Sequence, residues 1–155
     1  MGDYNHSMEI IGEFKGEFEW ASNFHLQEVV YEGLTYRSSE NAYQAAKVVP
    51  TDTATRALFC NLHPAQAKKL GDSIRLRPDW SPELALQVME EIVTIKFQDK
   101  FLKEKLLATG DATLIEGNWW HDNRWGNCTC PKCKNVGGEN HLGKILMKVR
   151  DKLKR

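Results

Sequence analysis

The sequence predicts a single α+β domain, mostly helical, with a small β-hairpin near its N-terminus. Three observations lead there. Val, Ile, Tyr and Phe concentrate before Arg37 around one glycine-containing turn, as paired strands require. From Ser38 onward, cap residues and prolines mark one helix start after another. The 155 residues are the length of one ordinary domain with a core of its own.

Residues 8–12 and 28–37 read as extended. Within the second stretch, Val29 to Tyr31 and Leu34 to Tyr36 flank Glu32 and Gly33, a turn candidate that makes it a hairpin. Between the two, Trp20, Ala21, Ser22, Asn23 and Phe24 mix rings with small groups, which is loop chemistry. Ser38 and Ser39 cap a helix to about Val48, stopped by Pro50. A second helix starts at Thr51 or Thr53 and runs to about Cys60; a third runs from Pro64 to Gly71. Ser81, Pro82 and Glu83 supply the cap, the first-turn proline and the acid of a helix start. Leu84, Val88, Ile92, Ile95 and Phe97 carry that helix's apolar residues. The pattern breaks near Asp99, resumes through Phe101, Leu102, Leu106 and Leu107, and stops at Gly110. Residues 112–116 are a short strand candidate, and 117–139 a long irregular region. Leu142, Ile145, Leu146, Val149 and Leu153 mark one face of a final helix. The domain is expected to span 8–153, after a polar extension over 1–7.

Twenty-one basic residues balance twenty-one acidic ones. That neutrality argues against non-specific coating of nucleic acid, which depends on neutralising phosphates. The cations gathered from Lys144 to Arg155 suit a solvated helix end. No run approaches the roughly 18 apolar residues of a membrane span, so no membrane partner is expected. The polar start lacks the apolar stretch of a signal peptide. The expected compartment is the cytosol, or the nucleus in a cell that has one.

Four groups of residues carry candidate chemistry. Glu40, Tyr43, Gln44 and Lys47 fall at i, i+3, i+4 and i+7 and share one helix face. Glu40 and Lys47 are then about 10 Å apart along the axis, close enough for two long side chains to converge on one ligand. A solvated face with a spaced acid and base has the same pattern. Next, the stretch from Glu116 to Gly126 interleaves Trp119, Trp120 and Trp125 with Asn118, His121, Asp122, Asn123 and Arg124. Such a mixture can stack a flat base and hydrogen-bond a sugar, or its tryptophans can plug a core beneath a loop. Third, Arg75 and Arg77 beside the helix start at Ser81 can hold a phosphate by paired N–H donors, or form surface salt bridges, for example to Asp79 or Asp72; the salt bridge is the expectation for Arg75, and both readings stay open for Arg77. Last, Gly137, Gly138 and Gly143 surround the start of the final helix, where backbone N–H groups can receive an anion, although a tight loop-to-helix turn uses the same residues.

Of the four cysteines, Cys128, Cys130 and Cys133 form a Cys-x-Cys-Pro-x-Cys cluster that could give three thiolates to a zinc ion. Cys60, His121 or His141 would have to complete the set, at spacings that match no common zinc pattern. A loop of reduced thiols is therefore the expectation, with no metal and no cofactor.

In combination these residues resemble the NADAR domain family. The resemblance is carried by Ser22-Asn23-Phe24, the run from Tyr36 to Lys47, Arg77-Pro78-Asp79-Trp80, Met89 with Lys96-Phe97-Gln98, and Leu107 to Gly110. It continues through Leu114 to Asn118, Trp120-His121-Asp122, Trp125-Gly126 and Asn140 to Arg150. It covers nearly the whole chain, in the family's order. The resemblance implies an N-glycosidase that acts either on ADP-ribosylated guanine, in DNA or as the nucleoside, or on the ribosylamino-pyrimidine phosphates of riboflavin biosynthesis. In both, ribose C1 is bonded to an exocyclic amine, so the opened sugar is an imine that a lysine can enter as a Schiff base. The resemblance implies that role for Lys47, with Glu40 moving protons and Asp122 as a second acid near the sugar. Asn23, Phe24, Tyr43, Gln44, Arg77, Trp119, Trp125 and Asn140 are the expected contacts for an ADP-ribose-type substrate. Lys47 must be partly neutral to attack, so its pKa is expected to be lowered. A non-catalytic ADP-ribose reader is the alternative from another class. The cysteine cluster departs from the family's simpler members.

Overall fold

The computed structural model describes residues 9–155. The polar extension over 1–7, and Met8 of the first extended stretch, lie outside them. In chain order the elements are β1 (Ile10–Ile11), a 3-10 helix (Gly16–Ala21), β2 (Leu26–Tyr31), β3 (Leu34–Ser38), α1 (Ser39–Ala46), α2 (Thr53–Ala57) and α3 (Pro64–Gly71). They continue with α4 (Pro82–Lys96), α5 (Lys100–Ala108), β4 (Thr113–Leu114), β5 (Gly117–Asn118), β6 (Asn127–Cys128) and α6 (His141–Leu153). The α+β class, the hairpin and the predominance of helix are as the sequence predicts. The described residues divide into two compact units, one made of 23–98 and the other of 9–22 with 99–155.

In the unit 23–98, β2 and β3 pair antiparallel. Glu32 and Gly33 turn the chain with φ of 47° and 90°, the two left-handed residues that a tight two-residue hairpin needs. Alternation turns Val29, Tyr31, Tyr36 and Ser38 inward. α1 packs on both strands, and α2, α3 and α4 pack on α1. All eight residues of α1 are buried, so its polar face is not a solvated one. Ala42, Ala45 and Ala46 let the neighbours come close. At Gly71 of α3 the approach is tighter still: a Cβ there would lie 1.9 Å from Gln44 Oε1.

α2 stops at Ala57, short of the expected Cys60. Beyond it Leu58, Phe59 and Cys60 donate to the carbonyls three residues back, tightening the last turn. The Phe59 carbonyl is taken instead by the buried Asn41 amide at 2.7 Å. In α4, Ala85, Val88, Met89, Ile92, Val93 and Lys96 are buried.

In the other unit, β1 pairs parallel with β4, and β5 parallel with β6. α6 packs on β4 and α5. Its buried face, Leu142, Ile145, Leu146 and Val149, is the one the periodicity marks. Arg150 joins that face because its guanidinium donates to Thr109 Oγ1 at 2.9 Å and to the Ala112 carbonyl at 2.8 Å, closing the end of α5. Trp20 and Ala21, expected in a loop, end the 3-10 helix and are buried. No helix among the described residues is long and apolar enough to cross a membrane.

Candidate active site

Within 23–98, the site is built on α1. Ser38 caps the helix, its hydroxyl accepting from the Asn41 backbone N–H at 3.2 Å. Asn41 fixes the first turn to the chain after α2, donating to the Phe59 and Leu62 carbonyls at 2.7 and 2.8 Å. Asn23 holds the same turn from the other direction. Its carbonyl accepts from the Glu40 N–H at 3.1 Å, and its side-chain oxygen accepts from Ser39 Oγ at 2.8 Å. Its amide reaches Met89 Sδ at 3.5 Å. Asn23, expected as a substrate contact, thus also holds the turn that carries Glu40. Phe24, next to it, is 39% exposed.

Glu40 is buried at 8% exposure and accepts from Gln44 Nε2 at 2.7 Å. The other Gln44 side-chain atom, Oε1, is buried without a hydrogen-bond partner among the described residues. Lys47 follows the last residue of α1, with Nζ 5.5 Å from the centre of the Tyr43 ring. That ring in turn lies 5.8 Å from the Trp80 ring. Desolvation pulls the Lys47 pKa down, the direction a nucleophilic amine needs. The carboxylates of Asp72 and Glu40 oppose the shift, and the Lys68 ammonium adds to it.

Arg77 closes the C-terminal end of α1. Its backbone N–H donates to the Lys47 carbonyl at 2.8 Å, and its guanidinium to the Ala46 carbonyl at 3.3 Å. The same guanidinium makes a bidentate pair with Asp79 at 2.7 and 3.0 Å. Its planar fork, expected to hold phosphate, is occupied by Asp79 and by the end of the helix. The structure therefore brings Asn23, Glu40, Tyr43, Gln44, Lys47 and Arg77 together around α1, with Asn23 bonded to its first turn and Arg77 to its last.

Within 9–22 with 99–155, the aromatic loop is organised by a residue the sequence reading did not single out. Asn118, 1% exposed, donates to the Asp122 carbonyl at 2.8 Å and to Glu116 Oε1 at 3.0 Å. Its side-chain oxygen accepts from the Trp120 and Asp122 N–H groups at 3.3 and 3.2 Å. The loop is thereby folded around one amide. Asp122 Oδ1 accepts from the Arg124 and Trp125 N–H groups at 3.0 and 2.9 Å, so its carboxylate caps a turn. Trp119 and Trp120 are 62% and 52% exposed, which removes the reading that they plug a core. Trp125 is half-buried, edge-on to His141 and beneath Arg124. Asn140, left-handed at φ 53°, spans to the strand region by donating to the Leu114 carbonyl and accepting from the Glu116 N–H, both at 2.9 Å. Like Asn23, it holds backbone.

Two further features lie outside the α1 site and the Asn118 hub. Lys96 is 2% exposed on α4, with Nζ 5.3 Å from the Phe97 ring. Its position four residues after Ile92 and seven after Met89 was the signal, since that places it on the buried face. The second is His121. It is one of the three residues that could complete the cysteine set, and its Nδ1 lies 3.8, 3.4 and 3.3 Å from the sulfurs of Cys128, Cys130 and Cys133.

The α1 arrangement offers a half-buried amine of lowered pKa on a helix that also carries a buried carboxyl. Those are the parts of amine nucleophilic catalysis with proton transfer. Comparison with known proteins agrees in kind. The family model described as the NADAR domain matches residues 7–154. The chain is 36% identical over 140 residues to the N-glycosidase Npun_R5314 of Nostoc punctiforme, covering 86% of this chain and 84% of that protein. It is 33% identical over 136 residues to the N-glycosidase YbiA of Escherichia coli, covering 85% and 79%. It is also 34% identical over 139 residues to the riboflavin biosynthesis protein VVA0006 of Vibrio vulnificus, covering 85% of this chain but 35% of that longer protein. The NMR structure of Escherichia coli YbiA superposes with a TM-score of 0.77 at 30% identity, over 95% of this chain and 86% of that one.

Proposed function

The chain belongs to the NADAR domain family and is an N-glycosidase, a hydrolase of N-glycosyl bonds, and from that premise we propose that it cleaves ribose from an exocyclic amine through a Schiff base on Lys47. Ring opening of such a ribosylamine gives an imine at C1. Neutral Lys47 adds to that carbon through Nζ, and the amine of the base departs with a proton. The lysine–C1 imine left behind takes up water at C1, and its collapse returns the free sugar and the lysine. Glu40 carries the protons between the two amines and the water. The observation that supports this reading most is the desolvated Lys47 at the end of a helix whose buried face holds Glu40.

We take ADP-ribosylated guanine, in DNA or as the nucleoside, as the leading substrate, and the cytosol as the site of action. The exposed Trp119 and Trp120 rings favour a ligand with a flat base to stack. The ribosylamino-pyrimidine phosphates are the second reading, favoured by the similarity to a riboflavin biosynthesis protein and by the engagement of Arg77 with Asp79, which withdraws one candidate phosphate clamp. The ratio of specificity constants decides between them. The enzyme is given an oligonucleotide bearing ADP-ribosyl-guanine and a ribosylamino-pyrimidine phosphate in separate reactions, and kcat/KM is measured for each. The leading reading predicts a higher value for the oligonucleotide. A higher value for the pyrimidine reverses the order, and saturable binding of ADP-ribose with turnover of neither leaves a reader module.

A further inference from the structure

We propose that His121, Cys128, Cys130 and Cys133 bind one zinc ion that locks the aromatic loop of the unit formed by 9–22 with 99–155. The four ligand atoms lie within 4.8 Å of one another. For a tetrahedral zinc with bonds of about 2.3 Å to sulfur and about 2.05 Å to nitrogen, the nitrogen–sulfur edge of the tetrahedron is about 3.6 Å. The three observed His121–cysteine distances are 3.3, 3.4 and 3.8 Å, scattered about that edge. All three sulfurs therefore stand about one tetrahedral edge from the same ring nitrogen.

The backbone is shaped for this. Pairing of β5 with β6 brings Asn118 beside Cys128, so the chain before His121 and the chain carrying the cysteines run together. His121 then adopts φ 68°, a left-handed conformation unusual for a residue with a side chain, and Nδ1 faces the thiols. The Cys133 N–H donates to the Cys130 carbonyl at 3.0 Å across Pro131 and Lys132, a tight turn that folds two sulfurs to one side. The three cysteines are buried and cluster with one another. Three thiolates and one zinc leave one negative charge, and Lys132 and Lys134 flank the ligands in sequence.

The set is closed. Three sulfurs and one nitrogen complete a four-coordinate shell with no position for water, which is the pattern of structural rather than catalytic zinc. What the metal would hold is specific. Asp122 follows a ligand directly, and Trp119 and Trp120 lie between that ligand and the Asn118 hub. The Cys128 N–H is held by Asn123 Oδ1 at 2.9 Å. Zinc release is expected to loosen the segment from Trp119 to Cys133 while leaving α6 in place.

The test uses the whole chain without a histidine tag, purified under a non-chelating reductant and desalted. Metal is counted by plasma mass spectrometry, and thiols by a chromogenic disulfide before and after an organomercurial. The expected result is one zinc per chain, with Cys60 the only reactive thiol until the metal is released. Cys60→Ser keeps the zinc, Cys133→Ser loses it, and His121→Cys keeps it as a four-sulfur site. Cobalt substitution adds an intense visible absorption of tetrahedral thiolate type in the parent and in His121→Cys. Folded parent protein that holds no stoichiometric zinc, as purified or after reconstitution, overturns the proposal. So does zinc held equally by the parent and Cys133→Ser. If Cys133→Ser does not fold, the parent's thiol count and cobalt spectrum decide alone.

Discussion

Replacing Asn41 with alanine removes the amide that ties the first turn of α1 to the chain after α2. Three hydrogen bonds go at once: those to the Phe59 and Leu62 carbonyls and the one accepted from the Ser38 hydroxyl. Each contributes about 1 kcal/mol net, and a buried acceptor left bare costs about 1–3 kcal/mol. The Leu62 bond lies partly in solvent, so water can replace it there, whereas the Phe59 bond is buried. The loss is therefore expected at about 2–3 kcal/mol, most of it from Phe59. For a chain of this size that lowers Tm by roughly 4–12 °C. Urea unfolding followed by tryptophan fluorescence and by circular dichroism measures it, with unchanged m as the check that only stability moved. Asn41→Asp is expected to be worse at neutral pH, because it places a carboxylate against two carbonyls. A loss below about 0.5 kcal/mol for Asn41→Ala would refute the assignment of this amide as the anchor of α1.

Lys47 gives a prediction whose sign depends on pH. Its pKa is lowered in the fold from 10.5 by desolvation, so between the lowered value and 10.5 the unfolded chain binds more protons. Stability of the parent therefore rises with pH through that window. Lys47→Met has no such group, so its stability gain over the parent is expected at pH 7 and should shrink as pH approaches 10.5; urea unfolding at both ends checks this, and a gain that does not change with pH contradicts it. Gly143→Ala in α6 should destabilise, although alanine ordinarily favours a helix by about 1 kcal/mol. The added Cβ would lie 2.1 Å from the Leu114 carbonyl, backbone that cannot swing away; a raised Tm would show that β4 yields there. Trp119→Ala and Trp120→Ala remove exposed rings, so stability should change by less than about 0.5 kcal/mol while KM for a base-bearing substrate rises several-fold. Unchanged steady-state kinetics in both would remove these rings from substrate binding.

Much of this was legible in the chain because local chemistry and tertiary demand agree. Glu32 and Gly33 announce a turn that only left-handed residues make. Pro64, and Ser81 before Pro82, start helices where they should, and the apolar stripe from Leu142 to Val149 is buried as its spacing says. The spacing of Glu40, Tyr43, Gln44 and Lys47 located the central helix but could not tell a solvated face from a buried one. That distinction comes from the hairpin and three helices packed around it. Non-local pairing was out of reach altogether. β1 and β4 are two residues each, and nothing near Ile10 announces a partner at Thr113. For the same reason the sequence left His121 level with Cys60 and His141 as a possible fourth member of the cysteine set: its place beside the thiols is made by β5–β6 pairing and one left-handed residue, not by a spacing rule. Arg77 and Asn23 have the chemistry of ligand contacts, yet the fold uses them on backbone and on Asp79.

The proposed covalent bond between Lys47 and ribose C1 can be trapped with borohydride. The enzyme is mixed with the substrate it turns over best, reduced during turnover, and weighed intact. A Schiff base on Lys47 gives a mass increase equal to the reduced sugar moiety, localised by peptide mapping to Lys47 and lost in Lys47→Ala together with release of the base. Full turnover with no reducible adduct, or an adduct and activity that persist in Lys47→Ala, would contradict it.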